Sequence, residues 1–354
     1  MRFRPSHTGG SSMRMAVFLL KRLGYSIFVL VGLSILVFII ARVMPGDPAR
    51  LALGPRAPEW AVQRVRESMY LDKPLYLQYV YWLKDALQGD FGESLVTRRE
   101  VAQDIKEFLP ATIELALFSG VIMAFFGILL GAISARYSNT WVDNVVRLGS
   151  YVGVVTPSFV FAVLFLLAFG YFLHILPSIG RLSSGVARPP VITGMVVFDG
   201  LITGHFAAVG DAIKHLIMPG VALALGGMSQ EARITRSSMS DNLKKDYISA
   251  ERAQGIPERI INLRYLLKPS LIPTVSILGL DFAALLANAF IVELIFNWPG
   301  MSRYGINAML RKDLNAIIAV IMVMGVVFII MNIIVDIVVG LLDPRIRLGA
   351  ERSK

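Results

Sequence analysis

The sequence predicts an all-α, polytopic membrane protein with six transmembrane helices. With 55% hydrophobic residues and a mean hydropathy of +0.63, the 354-residue chain is too apolar for a water-soluble protein of this length. About twenty consecutive apolar residues are enough to cross a bilayer as a helix. Six apolar runs with few charges can supply the six spans, at residues 23–41, 112–135, 148–173, 216–227, 271–296 and 316–342.

The first run follows a basic tail, residues 1–22. A cleavable signal peptide is the competing interpretation, because such a peptide also places positive charge before an apolar stretch. The apolar region of a signal peptide is normally shorter and ends in small residues, whereas run 23–41 continues into Arg42 and Val43. The run is therefore predicted to be a retained span.

The fourth run, 216–227, is the shortest and is rich in glycine. Its helix is expected to begin earlier, near Ala212, or to continue past Ser229 toward Asn242. Between the first two spans lies a polar outer region, 42–111. Within that region, apolar and aromatic residues at helical spacing predict a helix over 75–87.

The distribution of Lys and Arg predicts that both termini are cytoplasmic. Six spans place both termini on one side, and the segments on that side hold 19 basic residues against 6 in the two short segments opposite. The outer region 42–111 is left out of this count because long loops translocate largely regardless of charge. This asymmetry explains the net charge of +10 without nucleic acid. The inner segments are 1–22, 136–147, 228–268 and 343–354, and the short outer ones are 174–215 and 297–315.

Several kinds of chemistry are excluded by the residues themselves. The chain has no cysteine, and its four histidines are scattered without metal-ligand spacing. It contains no Gly-rich loop ending in Gly-Lys-Ser or Gly-Lys-Thr, no His-Glu-x-x-His and no Gly-x-Ser-x-Gly. We therefore predict no catalytic residue, no metal site and no cofactor bound by this chain, and ATP hydrolysis, if transport uses it, would need a partner.

The segment 246–273 is a polar stretch between two apolar runs, longer than a simple connector needs to be. Asp246 is a plausible N-cap for a short helix over 247–254. Gly255 follows at the position that tolerates left-handed backbone, and Pro257 suits the first turn of a second helix. The segment is predicted to be a helix, a sharp bend and a second helix.

This segment resembles the coupling motif of bacterial ABC-type import permeases, in their dipeptide/oligopeptide branch. In that family a Glu-Ala-Ala-like triplet stands six residues before a glycine, and Ile-Pro or Leu-Pro follows. Here the triplet begins at Ser249, the glycine is Gly255, and the pair is Ile272 and Pro273. The resemblance extends over about residues 15–347. Further matching stretches are Met-Pro-Gly-Asp-Pro at 44–48, residues 71–74 and 89–94, Trp298-Pro299-Gly300 and Asp343-Pro344-Arg345, and the departures are Ser249, Glu251, Val338 and Val339.

The resemblance implies a role for the bent segment and a set of partners. The segment would dock into a groove on a cytoplasmic ATPase through Tyr247, Ser249, Ala250, Glu251, Arg252, Ala253, Gly255 and Pro257. The complex would hold a second permease chain, usually a different one, two ATPases carrying ATP and Mg, and an extracytoplasmic substrate-binding protein. The chain would lie in the bacterial cytoplasmic membrane and move di- or oligopeptides, with oligosaccharides, opines, glutathione or nickel as alternative cargo.

Charged residues within the spans are few and therefore informative, because a carboxylate in a bilayer usually faces a cavity or a partner. Asp281 and Asn288 are seven residues apart and share a helical face. With Glu293 they are candidates for the translocation path, and a carboxylate satisfied by a neighbouring helix or water is the alternative. If the protein were an ion-coupled secondary transporter, Asp281 would be the proton site. Glu114 is expected to be solvated, and Trp298 to be an interfacial anchor or a substrate contact.

Overall fold

The chain folds entirely into helices and connecting loops over the part that the structure describes. The computed structural model describes residues 9–43, 48–54 and 56–342. Within these ranges no β-strand forms, and Glu93 and Glu100 make an isolated β-bridge. The predicted tail 343–354 and most of the Met-Pro-Gly-Asp-Pro motif lie outside the described residues, and the helix that contains the first span begins within the predicted tail 1–22.

The helices in chain order are α1 (Gly9–Val43), α2 (Pro48–Leu53), α3 (Glu59–Ser68), α4 (Leu75–Leu87), α5 (Val101–Arg136), α6 (Trp141–Val155), α7 (Ser158–Phe165), α8 (Val196–Thr203), α9 (Phe206–Leu243), α10 (Asp246–Ala253), α11 (Glu258–Ile260), α12 (Lys268–Ile295), α13 (Met301–Leu310) and α14 (Leu314–Leu342). Two π-helical segments extend this series, Leu166–Phe172 after α7 and Ile261–Leu267 between α11 and α12. The helix α4 has the bounds that its residue spacing predicts.

Five helices among the described residues are long and apolar enough to cross a membrane, and a bent pair makes up to a sixth. The predicted number of six spans therefore agrees with the structure when the bent pair is one span. The spans are Arg22–Ile40, Val101–Arg136, Phe206–Leu243, Glu258–Ile295 and Leu314–Val335, and the bent pair is Trp141–Val155 with Ser158–Phe172.

The third predicted span, 148–173, is wrong as a single helix. Its two halves, α6 and α7 with the following π-helical segment, meet at an angle of 107°. Thr156 takes extended backbone with ψ of 123°, because Pro157 disfavours the α conformation in the residue before it. The helix therefore ends at Val155 and a new one begins at Ser158.

One compact unit contains the described parts of 1–105 and 305–354. In it α1 packs on α14, and Gly325 lets Leu33 approach closely, because a Cβ at Gly325 would lie 2.5 Å from a Leu33 methyl group. Asp313, just before α14, is fully buried and accepts a hydrogen bond from Ser94 Oγ at 2.6 Å. The backbone N–H of Leu95 donates to the same carboxylate at 2.7 Å. These bonds fix the loop after α4 at the start of α14.

A second compact unit, residues 106–304, contains most of α5 and all of α6 to α12, and is built around α9. Among the candidate spans of the described residues, α9 has the lowest mean hydropathy and the largest buried share. Its small neighbours allow close packing: a Cβ at Gly131 of α5 would lie 2.6 Å from the Ala232 carbonyl, and one at Gly153 of α6 would overlap Ser229. Because α9 faces other helices on most sides, it can contain polar residues that a lipid-facing helix could not.

The short run 216–227 is thus the middle of a 38-residue helix. The expected start near Ala212 and the expected continuation toward Asn242 both lie within α9. The apolar run that marks this span in the sequence is short because the helix is buried against protein rather than lipid.

Candidate functional site

The bent segment has the predicted arrangement of helix, bend and helix. The first helix, α10, ends at Ala253, and Gly255 takes a left-handed backbone with φ of +74°. The Gly255 N–H donates to the Arg252 carbonyl at 3.0 Å, and the Ile256 N–H donates to the Glu251 carbonyl at 3.2 Å. This pair of bonds is the Schellman motif, which satisfies the last carbonyl groups of a helix when glycine follows it.

Two details of the prediction are wrong. Lys245, not Asp246, is the N-cap of α10, and no side chain caps it. Asp246 is the first helical residue, where its carboxylate interacts favourably with the positive end of the helix dipole. Pro257 is the N-cap of α11 with φ of −58°, one residue before the predicted first turn, because its backbone ψ of 137° is still extended.

The helix α10 is anchored on one side and exposed on the other. Ile248 is fully buried in an apolar cluster with Ala135, Met239, Ile261 and Leu266, which belong to α5, α9 and the π-helical segment. Most of the predicted coupling residues lie outside this cluster and are exposed, and Glu251 is half-buried. The exposed ones are Tyr247, Ser249, Ala250, Arg252, Ala253, Gly255 and Pro257.

An ion pair spans the bend. Arg252 Nε lies 2.7 Å from Glu258 Oε1, and both side chains are largely exposed. Exposed pairs of this kind stabilise a protein by well under about 1 kcal/mol. The bend therefore owes its shape to Gly255 and to the buried Ile248, and the polar face above it stays open to a partner.

The second arm of the bend continues into a membrane span. The π-helical segment Ile261–Leu267 joins α11 to α12, and together they form the 38-residue candidate span Glu258–Ile295. The predicted coupling region 246–268 therefore ends inside a continuous helix rather than at a separate connector. After the bend at Gly255 the chain is thus helical without a further loop from Glu258 to the end of α12.

Asp281 lies on α12 where that helix packs against α9. Its Oδ1 is 3.5 Å from Gln230 Nε2, the limit of a hydrogen bond, and its Oδ2 is buried with no partner among the described residues. Asn288, two turns further along the predicted common face, is exposed. The two residues thus form a stripe that leads from the helix interface to the surface of the chain.

Glu231 on α9 is a buried carboxylate that the sequence analysis missed. It has 0% relative exposure, and neither carboxylate oxygen has a hydrogen-bond partner within the described chain. It is packed against α5, since a Cβ at Gly127 would lie 2.6 Å from Glu231 Cβ. The sequence places Glu231 in the polar segment 228–268, and only the length of α9 puts it inside the helix bundle.

Glu293 lies in a closed hydrogen-bonded network at the C-terminal end of α12. Thr112 Oγ1 donates to its carboxylate at 2.6 Å, and the Ser302 N–H donates at 3.0 Å. Gly300 packs directly on this carboxylate, where a Cβ would overlap it. The side chain is fully buried, so it holds α12 to α5 in this state, and its contact with cargo stays a prediction.

Trp298, just after α12, and Glu114, within α5, are both more buried than the sequence predicts. Trp298 is 1% exposed and donates its Nε1–H to the Ala111 carbonyl at 2.9 Å, so it is a core residue rather than an interfacial anchor. Glu114 is buried, not solvated. It pairs with Arg181 at 2.5 Å and accepts the Val197 N–H at 2.7 Å, which fastens both the loop before α8 and the start of α8 to α5.

The comparisons with known proteins agree with this architecture. Residues 127–348 match the family described as "Binding-protein-dependent transport system inner membrane component", and residues 15–116 match its N-terminal counterpart. The chain belongs to this family. It is the inner-membrane permease of an ABC importer and a multi-pass protein of the bacterial cytoplasmic membrane.

Three curated relatives cover nearly the whole permease. The probable D,D-dipeptide transport system permease protein DdpB of Escherichia coli (strain K12) is 36% identical over 323 residues, 91% of this chain and 95% of that protein. The dipeptide transport system permease protein DppB of Alkalihalophilus pseudofirmus is 37% identical over 335 residues, 94% and 100% of the two chains. The glutathione transport system permease protein GsiC of E. coli (strain K12) is 33% identical over 333 residues, 94% and 99%.

The permease also contains a partly buried ion pair close to the anchor of α10. Asp143 at the start of α6 is fully buried and receives both Nε and Nη2 of Arg236 at 2.6 Å. Ser134 Oγ donates to the same carboxylate at 2.6 Å, and the Asn139 N–H donates at 2.9 Å. Arg236 is three residues before Met239 of the apolar cluster, so this pair holds α5, α6 and α9 together where α10 is attached.

The described residues contain no group of three His, Asp or Glu side chains that could hold a metal ion. The exposed face of α10 and the carboxylates of α9 and α12 remain the candidate functional features.

Proposed function

We propose that this permease imports peptides across the cytoplasmic membrane, driven by ATPase subunits that dock on the exposed face of α10. The observation that carries the proposal is the structure of the bent segment 246–273. Its first helix, α10, is anchored on one side and has an open polar face on the other, and one bend joins it to the candidate span that contains α12. Names of two relatives support peptides as the cargo. Glutathione is the second candidate, because another relative is named a glutathione permease.

In this mechanism two permease chains line one path and two ATPases bind and hydrolyse ATP with Mg. An extracytoplasmic binding protein delivers cargo, and both termini and α10 lie in the cytoplasm. When ATP closes the ATPases, α10 moves with them. Because the bend connects α10 directly to α12, this motion tilts the span that carries Asp281 and exposes the path to alternate sides.

Co-purification from the native membrane tests the assembly. We expect a tagged permease, extracted gently, to bring with it an ATPase and a second permease chain, and the reconstituted complex to take up peptides only when ATP is supplied. Recovery of the chain alone, with uptake that persists without ATP and stops when the proton gradient is dissipated, would instead support an ion-coupled secondary transporter. The binding protein that accompanies the complex identifies the cargo, which separates peptides from oligosaccharides, opines, glutathione and nickel.

We further propose that Asp281 contacts the cationic amino group of the peptide in transit. Its unpartnered oxygen and its position beside the exposed stripe toward Asn288 support this role. A hydrogen bond to a charged group is worth about 1.5 kcal/mol or more, so Asp281→Asn should lower uptake of peptides with a free amino terminus about tenfold. Uptake of N-acetylated peptides should change little.

The matched control is Asp241→Asn, an exposed carboxylate near the end of α9, which should leave both uptakes unchanged. Equal uptake of free and acetylated peptides by Asp281→Asn and the unmodified permease would remove Asp281 from the path. That result would leave the proposed assembly intact, because co-purification does not depend on it.

A further inference from the structure

A cavity of about 180 Å³ opens between three helices of the permease. Its walls are fixed by close packing, because Gly131 of α5 and Gly153 of α6 both touch α9. The volume exceeds that of several water molecules, so a phosphate group fits. The lining residues are Ser134 of α5, Val146, Arg147, Ser150 and Tyr151 of α6, and Ala232, Arg233, Arg236 and Ser237 of α9.

Three of the residues that line the cavity are arginines. Arg236 is neutralised by Asp143, but Arg147 and Arg233 have no hydrogen-bond or ion-pair partner among the described residues. Both arginines are exposed to solvent and line the same space, together with Ser150 and Ser237. A guanidinium group presents a planar fork of donors that matches the oxygens of a phosphate.

The surface beside the cavity is apolar. The helix α6 exposes one continuous face of large side chains, and Trp141 at its start is 76% exposed. An aromatic side chain at the end of such a face is typical of the level of the lipid headgroups. The other members of this face are Val145, Leu148, Val152 and Val155.

We infer that the cavity binds the phosphate of an anionic phospholipid, whose acyl chains lie along the apolar face of α6. Under the cytoplasmic placement of α10 proposed above, the cavity opens to the inner leaflet, where basic pockets between membrane helices bind anionic headgroups. The bound lipid bridges α6 and α9 beside Arg236, a member of the ion pair with Asp143, and so stiffens the bundle on which α10 is anchored.

Lipid binding to the purified permease tests this inference. The double variant Arg147→Gln and Arg233→Gln should bind phosphatidylglycerol about thirtyfold more weakly than the unmodified protein, since each basic residue contributes about 1 kcal/mol. Native mass spectrometry counts the bound lipid, and the rise of the thermal midpoint on titration gives its affinity. Phosphatidylcholine should bind both proteins weakly and equally.

Two further variants make the result specific. Lys244→Gln removes an exposed charge from the end of α9 without touching the cavity, and should bind phosphatidylglycerol as the unmodified permease does. Ser237→Trp fills the cavity while keeping both arginines, and should lose the bound lipid as the double variant does. This variant decides the matter if the loss of two charges prevents folding.

Three outcomes would overturn the inference. The first is undiminished phosphatidylglycerol binding by Ser237→Trp. The second is equal stabilisation by inorganic phosphate alone, which would assign the cavity to a soluble anion. The third is lipid held by the isolated permease but absent from the assembled importer, which would mean that a protein partner covers this face. None of these readouts requires an ATPase to dock, so they are independent of the proposed coupling mechanism.

Discussion

Replacing Gly255 with valine should separate ATP hydrolysis from peptide uptake in the assembled importer. Gly255 has φ of +74°, and a Cβ built there meets nothing within 4 Å. The cost of the substitution is therefore conformational, about 1–2 kcal/mol for an L-residue in left-handed backbone and greatest for a β-branched one. We expect the valine variant to insert normally, to hydrolyse ATP in the complex, and to take up peptide about tenfold more slowly.

The matched variant is Gly255→Asn, because asparagine tolerates the left-handed conformation and adds a side chain of similar size. It should retain most of the coupled uptake. If Asn and Val variants lose uptake equally, the side chain obstructs the docking surface and the bend itself is not the cause. Normal coupled transport by the valine variant would count against any role of the bend in coupling.

The bend could be predicted because its determinants are local in sequence. A glycine after a short polar helix and a proline two residues later are enough to fix a Schellman ending and a new start. The same is true of α4, whose apolar spacing gives its bounds. The length and composition of the apolar runs likewise predict the spans, because the bilayer sets both.

Local sequence patterns do not predict features that depend on residues far apart in the chain. The position of Glu114 at the outer end of a predicted span suggests solvent, and its partner Arg181 is 67 residues away in the chain, so the sequence gives no local sign of the pair. Glu231 lies in the predicted inner segment 228–268, and no local pattern marks it as buried, because its burial follows from the glycines of α5 that let α9 pack closely. The break at Pro157 does have a local signal, but the surrounding apolar run hides it.

Removing Asp143 should destabilise the permease more than any single change at the coupling segment. Asp143→Ala leaves the Arg236 guanidinium without its partner and also removes the acceptor of Ser134 and of the Asn139 N–H. Breaking a buried pair on one side costs about 3–5 kcal/mol, and the 21% exposure of Arg236 places this pair toward the lower end of that range. The midpoint of thermal unfolding in detergent should fall by on the order of 10 °C.

A second substitution distinguishes the lost pair from a general packing defect. In Asp143→Ala with Arg236→Met the uncompensated charge is gone, so a substantial part of the stability should return, since apolar replacements of buried pairs are often nearly neutral. Asp241→Ala removes an exposed carboxylate near the end of α9, the helix that carries Arg236, and should change the midpoint by less than about 2 °C. If the double variant is no more stable than Asp143→Ala, the loss comes from the cavity and the orphaned Ser134 and Asn139 donors. In that case α10 is held by the apolar cluster around Ile248 alone, and the ion pair is not part of its support.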